Sequence, residues 1–422
     1  MRIRMIDQYR GLPGPVYILM IARIVIAMGT FVYPFLTMFL SSRIGMNDQE
    51  VSRYLLLVAL AQLPANLIGG KLADRFPRKR VYGAAMFCSA SFFALSGFFC
   101  QSANVVWLIL AGYFFSNMSH PVLSAMIMDV TTEKNRQESF SLVYLGFNMG
   151  YAIGPLVAGL LFEEHTPWIF WGQAILVSTA VSLILLRMPL RPTAPEKERE
   201  EAVTAEAPRQ ESLWKLLRHD PVMLIFAACL TCYAFSYAQI SYLMPLDLEL
   251  HQGISAAAKS ISMVWSLNGV VVFLATPLVV LLTKRNSSIL NCALGGLIYL
   301  LGFAGTAFTA GRTWLLLSLV LVWTVGEILC NTNSGVFIAN HAPASHRARY
   351  QSIYDIIQNL GKAAGPFLMG FYLLGHSYQQ GWLFVSGLCL LAALGLILLQ
   401  RHPALPPEEG GRHKPQKRKA AI

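Results

Sequence analysis

Residues 148–159 read Asn-Met-Gly-Tyr-Ala-Ile-Gly-Pro-Leu-Val-Ala-Gly, and residues 359–370 read Asn-Leu-Gly-Lys-Ala-Ala-Gly-Pro-Phe-Leu-Met-Gly. The likeness extends upstream to Arg136 and Arg347, so that 24 positions align without a gap and eight are identical. Both copies lie in apolar stretches, where glycines four residues apart allow a neighbouring helix to approach closely. A membrane protein built from two similar halves is typical of secondary transporters. The repeat therefore predicts two related halves.

The composition indicates a membrane protein. Of the 422 residues, 55% are hydrophobic and 13% are charged, whereas about a quarter are charged in soluble domains. A bilayer core of about 30 Å needs about 20 apolar residues per helix. Such runs, numbered here as spans 1 to 12, occur at residues 16–40, 52–73, 81–100, 104–130, 139–162, 166–187, 221–246, 257–283, 289–309, 312–339, 349–374 and 379–400. We expect an all-α membrane protein with twelve transmembrane helices in two pseudo-symmetric six-helix bundles. Runs 52–73 and 221–246 are the weakest, since they carry several polar residues.

Polar segments divide the chain into four parts. These are a first bundle (1–190), a cytoplasmic linker (191–220), a second bundle (221–402) and a basic cytoplasmic tail (403–422). The linker is rich in Pro and Glu and cannot bury enough apolar surface to form a domain. Residues 213–218 are predicted to form a short amphipathic helix on the membrane surface. The first span is predicted to stay as an anchor, because its run is too long for a signal peptide.

The distribution of Lys and Arg predicts the orientation. If both termini lie on one side of the membrane, 27 of the 33 basic residues fall on that side, and the opposite side holds Arg43, Arg53, Lys259 and Arg312. Positive charge stays in the cytoplasm, so both termini are predicted to be cytoplasmic. The net charge of +11 then reflects membrane topology and not a nucleic-acid partner. We expect a multi-pass, monomeric protein of the cell membrane whose partners are the lipid bilayer, protons and a small-molecule substrate.

The sequence offers little support for an enzyme. All seven cysteines fall in predicted spans, and Cys229-x-x-Cys232 lies in an apolar helix without the strand pattern of a redox domain. No metal-binding pair, nucleophile elbow or phosphate-binding loop is present in the sequence. We expect no metal and no cofactor, and a proton gradient as the driving force.

The segment between spans 2 and 3 reads Gly70-Lys-Leu-Ala-Asp-Arg-Phe-Pro-Arg-Lys-Arg-Val81. It resembles the signature loop of the major facilitator superfamily, with Pro77 in place of the second Gly. In that family the Asp and the following Arg help hold the two halves together on the cytoplasmic side. The resemblance implies a cytoplasmic gate whose candidate residues are Gly70, Asp74, Arg75, Arg78 and Asp129. Asp74 could instead lie against the amino-terminal end of span 11, where the helix dipole favours an anion.

The repeated segment resembles the span-5 signature of the antiporter branch of that superfamily, and the chain resembles its multidrug-type members over residues 15–400. The match lacks one glycine of that signature, because Ala158 occupies its position. The implied role is a helix pivot or seal, formed by Gly150, Gly154, Pro155, Gly159, Gly361, Gly365, Pro366 and Gly370. Pro155 is expected to bend span 5. For these glycines a purely structural role and a gating role predict the same contacts, because a pivot or seal works through close helix packing.

Charged residues within the spans are the second functional signal. Glu327 lies about halfway along span 10, where an isolated charge costs roughly 2.5–3.5 kcal/mol on insertion scales. It must face water in a cavity, pair with a cation or bind a proton. Trp323, Glu327 and Asn331 share one helix face, and the family resemblance places that face on the substrate path, because spans 1, 4, 7 and 10 line the cavity in the family. Glu327 is therefore a candidate proton or substrate site, with a static structural pair as the alternative.

Lys362 occupies, in the second copy of the repeat, the position that Tyr151 holds in the first. It can pair with Glu327 or with Asp355, either as part of proton coupling or as a static pair. Further cavity candidates are Arg23, His120, Tyr233, Tyr237 and Gln239, for which snorkelling or core packing is the alternative. Which of Glu327, Asp355 and His120 carries the proton stays open.

These features predict a secondary active transporter that exports amphipathic or lipophilic organic compounds, such as lipophilic cations, by proton-coupled alternating access. Import of a small polar nutrient or peptide with protons is the second reading. A membrane sensor that transports nothing is the third. The sequence does not decide the substrate, the direction or the coupling stoichiometry.

Overall fold

The computed structural model describes residues 9–132, 135–188, 220–342 and 347–401. The predicted surface helix 213–218, nearly all of the linker and the tail 403–422 lie outside these ranges. Every regular element in the described ranges is a helix. The predicted all-α class is confirmed.

Six spans make up each half. In the first half, span 1 consists of Gly14–Met28, Val32–Met38 and the π-helical turn Phe39–Arg43, and it is followed by Asp48–Arg75 (span 2), Arg78–Phe98 (span 3), Val105–Asp129 (span 4), Arg136–Tyr151 with Gly154–Phe162 (span 5) and Thr166–Arg187 (span 6). In the second half the spans are Pro221–Ala238 with Leu243–Gln252 (span 7), Ile254–Thr283 (span 8), Ser288–Thr306 (span 9), Thr313–His341 (span 10), Arg347–Tyr372 (span 11) and Tyr378–Gln400 (span 12).

Ten of the described spans are long and apolar enough to cross a membrane on their own. Spans 4 and 11 are less apolar, but their 25 and 26 residues give helices of roughly 38 Å. The predicted weak runs, 52–73 and 221–246, both fall within the ten, so that ranking was wrong. Polar side chains weaken spans 4 and 11 instead, because His120 lies in the first and Asp355 and Lys362 lie in the second.

The helices run alternately between two ends of the bundle. We call the end with loops 44–47, 163–165 and 373–377 the outer end, and the end with residues 76–77 and 284–287 the inner end. The names follow the orientation predicted from the charge distribution.

The repeated glycines bring spans 5 and 11 close to equivalent neighbours. A Cβ atom on Gly150 would overlap the carbonyl oxygen of Ile24 in span 1. In the second copy, a Cβ atom on Gly361 would lie 2.6 Å from Thr231 Cγ2 in span 7. Gly154 likewise packs on span 1, and Gly365 on span 7. Only glycine allows so close an approach, so the repeat builds the same contact in each half.

The last glycine of each copy contacts the opposite half. A Cβ atom on Gly159 in span 5 would overlap the side chain of Ser262 in span 8. A Cβ atom on Gly370 in span 11 would overlap the side chain of Ser52 in span 2. The two halves therefore exchange contacts through the same position of the repeat, as pseudo-two-fold symmetry requires.

Three predicted continuous spans are broken. Span 1 is interrupted at residues 29–31, where the side-chain oxygen of Gln173 accepts hydrogen bonds from the Phe31 and Val32 amides at 3.2 and 3.0 Å. Span 7 is interrupted at residues 239–242. Span 5 breaks at residues 152–153, directly before Pro155, whose ring nitrogen has no hydrogen to donate. Span 11 stays one helix through Pro366.

The outer end is closed by contacts between the halves. Several hydrogen bonds between the halves lie in the outer part of the bundle. They join Thr37 to Ser241, Ser41 to Glu249, Gln49 to Gly370, Tyr242 to Asp48, Tyr378 to Asp48, and Ser255 to Glu163.

Candidate functional site

Glu327 lies in the middle of span 10 and is half-buried. The side-chain amide of Asn268 in span 8 donates a hydrogen bond of 2.7 Å to its carboxyl group, and the same amide lies 3.1 Å from the Thr324 hydroxyl. The phenol of Tyr237 in span 7 lies close enough to interact with the carboxyl group as well. Three spans of the second half thus hold this acid in place.

Lys362 does not form the predicted ion pair. Among the described residues, no ion pair within 4.0 Å joins its ammonium group to Glu327 or to Asp355. Lys362 is exposed and lies within electrostatic range of Glu327, while Asp355 accepts a hydrogen bond of 2.9 Å from Gln351. The partners of Glu327 are the neutral amide of Asn268 and the phenol of Tyr237, so a change in its protonation state would break no ion pair among the described residues.

Arg23 and His120 come together in the first half. The guanidinium carbon of Arg23 in span 1 lies 4.6 Å from the centroid of the Phe147 ring, which is cation–π geometry. His120 in span 4 is exposed and within electrostatic range of Arg23. The sequence proposed both residues separately, but their proximity depends on how spans 1 and 4 pack.

Three of the aromatic and amide residues proposed for the cavity are not accessible. Tyr233, Gln239 and Trp323 are buried in the core of the second half, with exposures of 2%, 0% and 0%. Trp323 packs edge-on against Tyr237 at 6.0 Å between ring centroids. Trp323 therefore supports Tyr237, and none of the three buried side chains is placed to line an accessible site. Asn331, one turn beyond Glu327, is exposed.

Sequence reasoning missed an aromatic strip between the halves. Phe147 stacks on Tyr151 at 5.5 Å, and Tyr151 meets Trp265 of span 8 edge-on at 5.8 Å. Tyr151 also lies within electrostatic range of Glu327. The available signal was the alignment of the repeat, because Tyr151 holds the position of Lys362.

Several polar residues in the middle of the bundle are exposed. His120, Asn331 and Lys362 are all exposed, although the halves close together at the outer end. Charged side chains within a membrane face water or protein and not hydrocarbon. Polar residues of both halves thus lie in the middle of the bundle, with Arg23 and His120 on one half and Glu327 and Lys362 on the other.

The gate candidates lie at the inner end, where Arg78 bridges spans 3 and 4. Its guanidinium group lies 2.5 Å from Asp129 and donates a hydrogen bond of 3.1 Å to the Ala125 carbonyl oxygen. Asp74 and Arg75 are exposed, and no other residue lies within 4 Å of a Cβ atom placed on Gly70. Arg78 is therefore the loop residue that pairs with Asp129, as predicted. Asp74 is exposed in this conformation.

Asp74 is expected to act when the inner end closes. If it helps to hold that closed state, Asp74→Asn should lower turnover by about tenfold, as the loss of about 1.4 kcal/mol implies. Substrate affinity should stay unchanged, because Asp74 lies outside the central cavity. Turnover and equilibrium binding measured on one preparation test this, and unchanged turnover would remove Asp74 from the gate.

The sequence matches the profile of the Major Facilitator Superfamily over residues 19–366 and again over 329–421. An uncharacterized MFS-type transporter, YhjO of Bacillus subtilis, is 26% identical and covers 86% of this chain and 87% of its own. A Na(+), Li(+), K(+)/H(+) antiporter of Planococcus maritimus is 24% identical, covering 84% and 87%. The multidrug resistance protein MdtH of Yersinia enterocolitica is 24% identical over 58% of each chain.

A similar fold is found among solved structures. A mutant form of a peptide transporter, POT, solved in complex with sulfate, aligns with a TM-score of 0.71 and 16% identity. The alignment covers 92% of this chain and 95% of that one. At this identity the likeness concerns the fold alone.

Proposed function

The chain belongs to the major facilitator superfamily, and from this premise we propose that it is a proton-coupled exporter of amphipathic organic compounds. It is a multi-pass membrane transporter and not an enzyme. The direction, the coupling ion and the class of substrate are the proposed part.

The observation that carries the proposal is the environment of Glu327. Its carboxyl group lies halfway along span 10 and accepts from the neutral Asn268 amide at 2.7 Å. The halves are hydrogen-bonded to each other at the outer end, and we infer from this that Glu327 borders a central cavity that opens at the inner end. A carboxyl group that meets water alternately from two sides can bind a proton on one side and release it on the other. If a substrate group competes with that proton, inward proton movement drives outward substrate movement.

The relatives support an exchanger. One curated relative is named for antiport of Na(+), Li(+) and K(+) against protons, and another for multidrug resistance. The aromatic strip of Phe147, Tyr151 and Trp265 offers apolar rings beside charged groups, which suits amphipathic molecules.

A proton-coupled importer of a small polar nutrient is the second candidate. The observation in its favour is the excess of cations in the cavity, where Arg23 and Lys362 face the single carboxylate of Glu327 within the described middle layer. Such an excess would suit a polar acid. The two candidates differ in the direction of flux.

The test is transport by everted membrane vesicles with an imposed pH gradient, acid inside. Export predicts accumulation of amphipathic dyes, abolished by a protonophore, and little uptake of small polar solutes. We also propose that both termini face the cytoplasm, which sets the orientation of these vesicles. If no compound in a charge-balanced dye panel moves with the gradient, the export proposal is wrong.

A further inference from the structure

Arg23 has no acidic partner among the residues that the structure describes. Within the described ranges, no carboxylate lies within ion-pair distance of its guanidinium group. Its neighbours are the Phe147 ring, the phenol of Tyr82 and the imidazole of His120. This guanidinium group is half-buried, and because it forms no hydrogen bond within the described ranges it retains several N–H donors. Carboxylate and phosphate groups match that donor fork in geometry and charge.

Glu327 provides a negatively charged group on the second half, and we call Arg23 and Glu327 the positive and negative poles of the site. Asn268 donates to one of its oxygens at 2.7 Å and the Tyr237 phenol interacts with the same carboxyl group, while a carboxylate can accept from further donors. Lys362 lies within range but forms no ion pair of 4.0 Å or less with it among the described residues. A cationic or N–H-bearing group of a substrate can therefore approach this acid directly.

An aromatic strip connects the two poles. Arg23 lies over Phe147, Phe147 stacks on Tyr151, and Tyr151 reaches the range of Glu327 beside Trp265. A flat apolar body lying on these rings would place its two ends at opposite charges. A purely cationic compound would instead leave Arg23 uncompensated in a site of low dielectric, which is unfavourable.

We propose that the central cavity selects amphipathic zwitterions, with the anionic group bound by Arg23 and the cationic end bound by Glu327. This inference rests on the proposed export function, and it narrows the expected substrates from lipophilic cations to molecules that also carry a carboxylate or phosphate. It also gives the exchange a mechanism, because the cationic end and the coupling proton compete for the same carboxylate while Arg23 keeps the substrate oriented.

A matched pair of dyes tests the selection. A rhodamine with a free carboxylate is a zwitterion, and its methyl ester is a cation of nearly the same shape. We expect the full-length protein in lipid nanodiscs to bind the free acid about tenfold more tightly than the ester, as one charge-assisted hydrogen-bonded contact implies. Fluorescence anisotropy measures both affinities without any pH gradient.

Variants then assign the preference to Arg23. Arg23→Gln should remove the preference for the free acid and leave the affinity for the ester unchanged or higher. Arg23→Lys should keep part of the preference, and it guards against a folding defect, which gel filtration and thermal melting would also reveal. Arg53→Gln, which removes an exposed guanidinium group at the outer end, should keep the wild-type preference.

The outcomes separate this inference from the export proposal. Equal binding of acid and ester by the wild type, tighter binding of the ester, or binding of neither overturns the zwitterion site, even if dyes still move with the gradient. A preference that survives Arg23→Gln overturns it as well. If the preference depends on Arg23 but no dye moves with the gradient, the site stands and proton-coupled export fails.

Discussion

Replacing Glu327 with glutamine should reduce gradient-driven flux to the level of protein-free vesicles. Glutamine keeps the size of the side chain and can still bond to Asn268, which donates 2.7 Å from the present carboxyl group, but it cannot bind and release a proton. Packing should therefore survive while coupling is lost. The measurement is dye accumulation in proteoliposomes with an imposed pH gradient.

The control is Glu164→Gln, which makes the same change on an exposed side chain of the outer loop 163–165 and should transport like the wild type. Exchange of labelled for unlabelled substrate without a gradient needs no net proton movement, so Glu327→Gln should retain exchange at saturating substrate, with a lower affinity because the cationic end loses its carboxylate. Gradient-driven flux at the wild-type rate with an unchanged pH profile would show that Glu327 does not carry the proton, and Asp355 and His120 would become the candidates.

The double variant Gly159→Ala, Gly370→Ala should open the outer end. Each new methyl group would overlap a serine of the opposite half, Ser262 or Ser52. Overpacking of this kind costs about 1–3 kcal/mol per site, and each 1.4 kcal/mol changes the ratio of two states about tenfold. The outward-closed state should lose most of its population, and turnover should fall at least tenfold. Hydrogen exchange should rise in peptides that cover residues 37–54 and 239–256.

The matched control is Gly335→Ala, Gly387→Ala. Apart from the adjacent turns of the same helix, no described atom lies within 4 Å of a Cβ atom at either position, and alanine favours a helix over glycine by about 1 kcal/mol. This variant should be slightly more stable and should transport normally. If both double variants show the same exchange and turnover, the repeated glycines do not set the contact between the halves.

The sequence predicted the scaffold well because its signals are local or repeated. Membrane-length apolar runs need no knowledge of packing, and the all-α fold and the superfamily are confirmed. The repeat also indicated close helix approach at Gly150 and Gly361, which the structure shows on spans 1 and 7. The roles proposed for these residues remain predictions.

The helix breaks could not be read from hydropathy. The interruption of span 1 at residues 29–31 depends on Gln173, which lies more than 140 positions away and accepts from the freed amides. An apolar run shows no sign of such a distant partner. Pro155 marked the break of span 5, but Pro366 in the equivalent position leaves span 11 continuous. A proline alone therefore does not determine whether a span is interrupted.

The partners of the central charges were also beyond the sequence. Lys362 was the obvious partner for Glu327 by charge, yet Asn268 occupies that place. A single Asn in an apolar span has no periodicity that reveals which helix it faces. Likewise Arg23 and His120 lie on different spans, and only the packing of spans 1 and 4 brings them into range.

The central claim is that Glu327 binds and releases a proton within the membrane, and infrared difference spectroscopy of the protein in lipid tests it most directly. Spectra recorded at high and low pH should contain the carbonyl band of a protonated carboxylic acid, shifted in heavy water, that is missing from Glu327→Gln and present in Glu164→Gln. An identical titrating band in the wild type and in Glu327→Gln would contradict the claim.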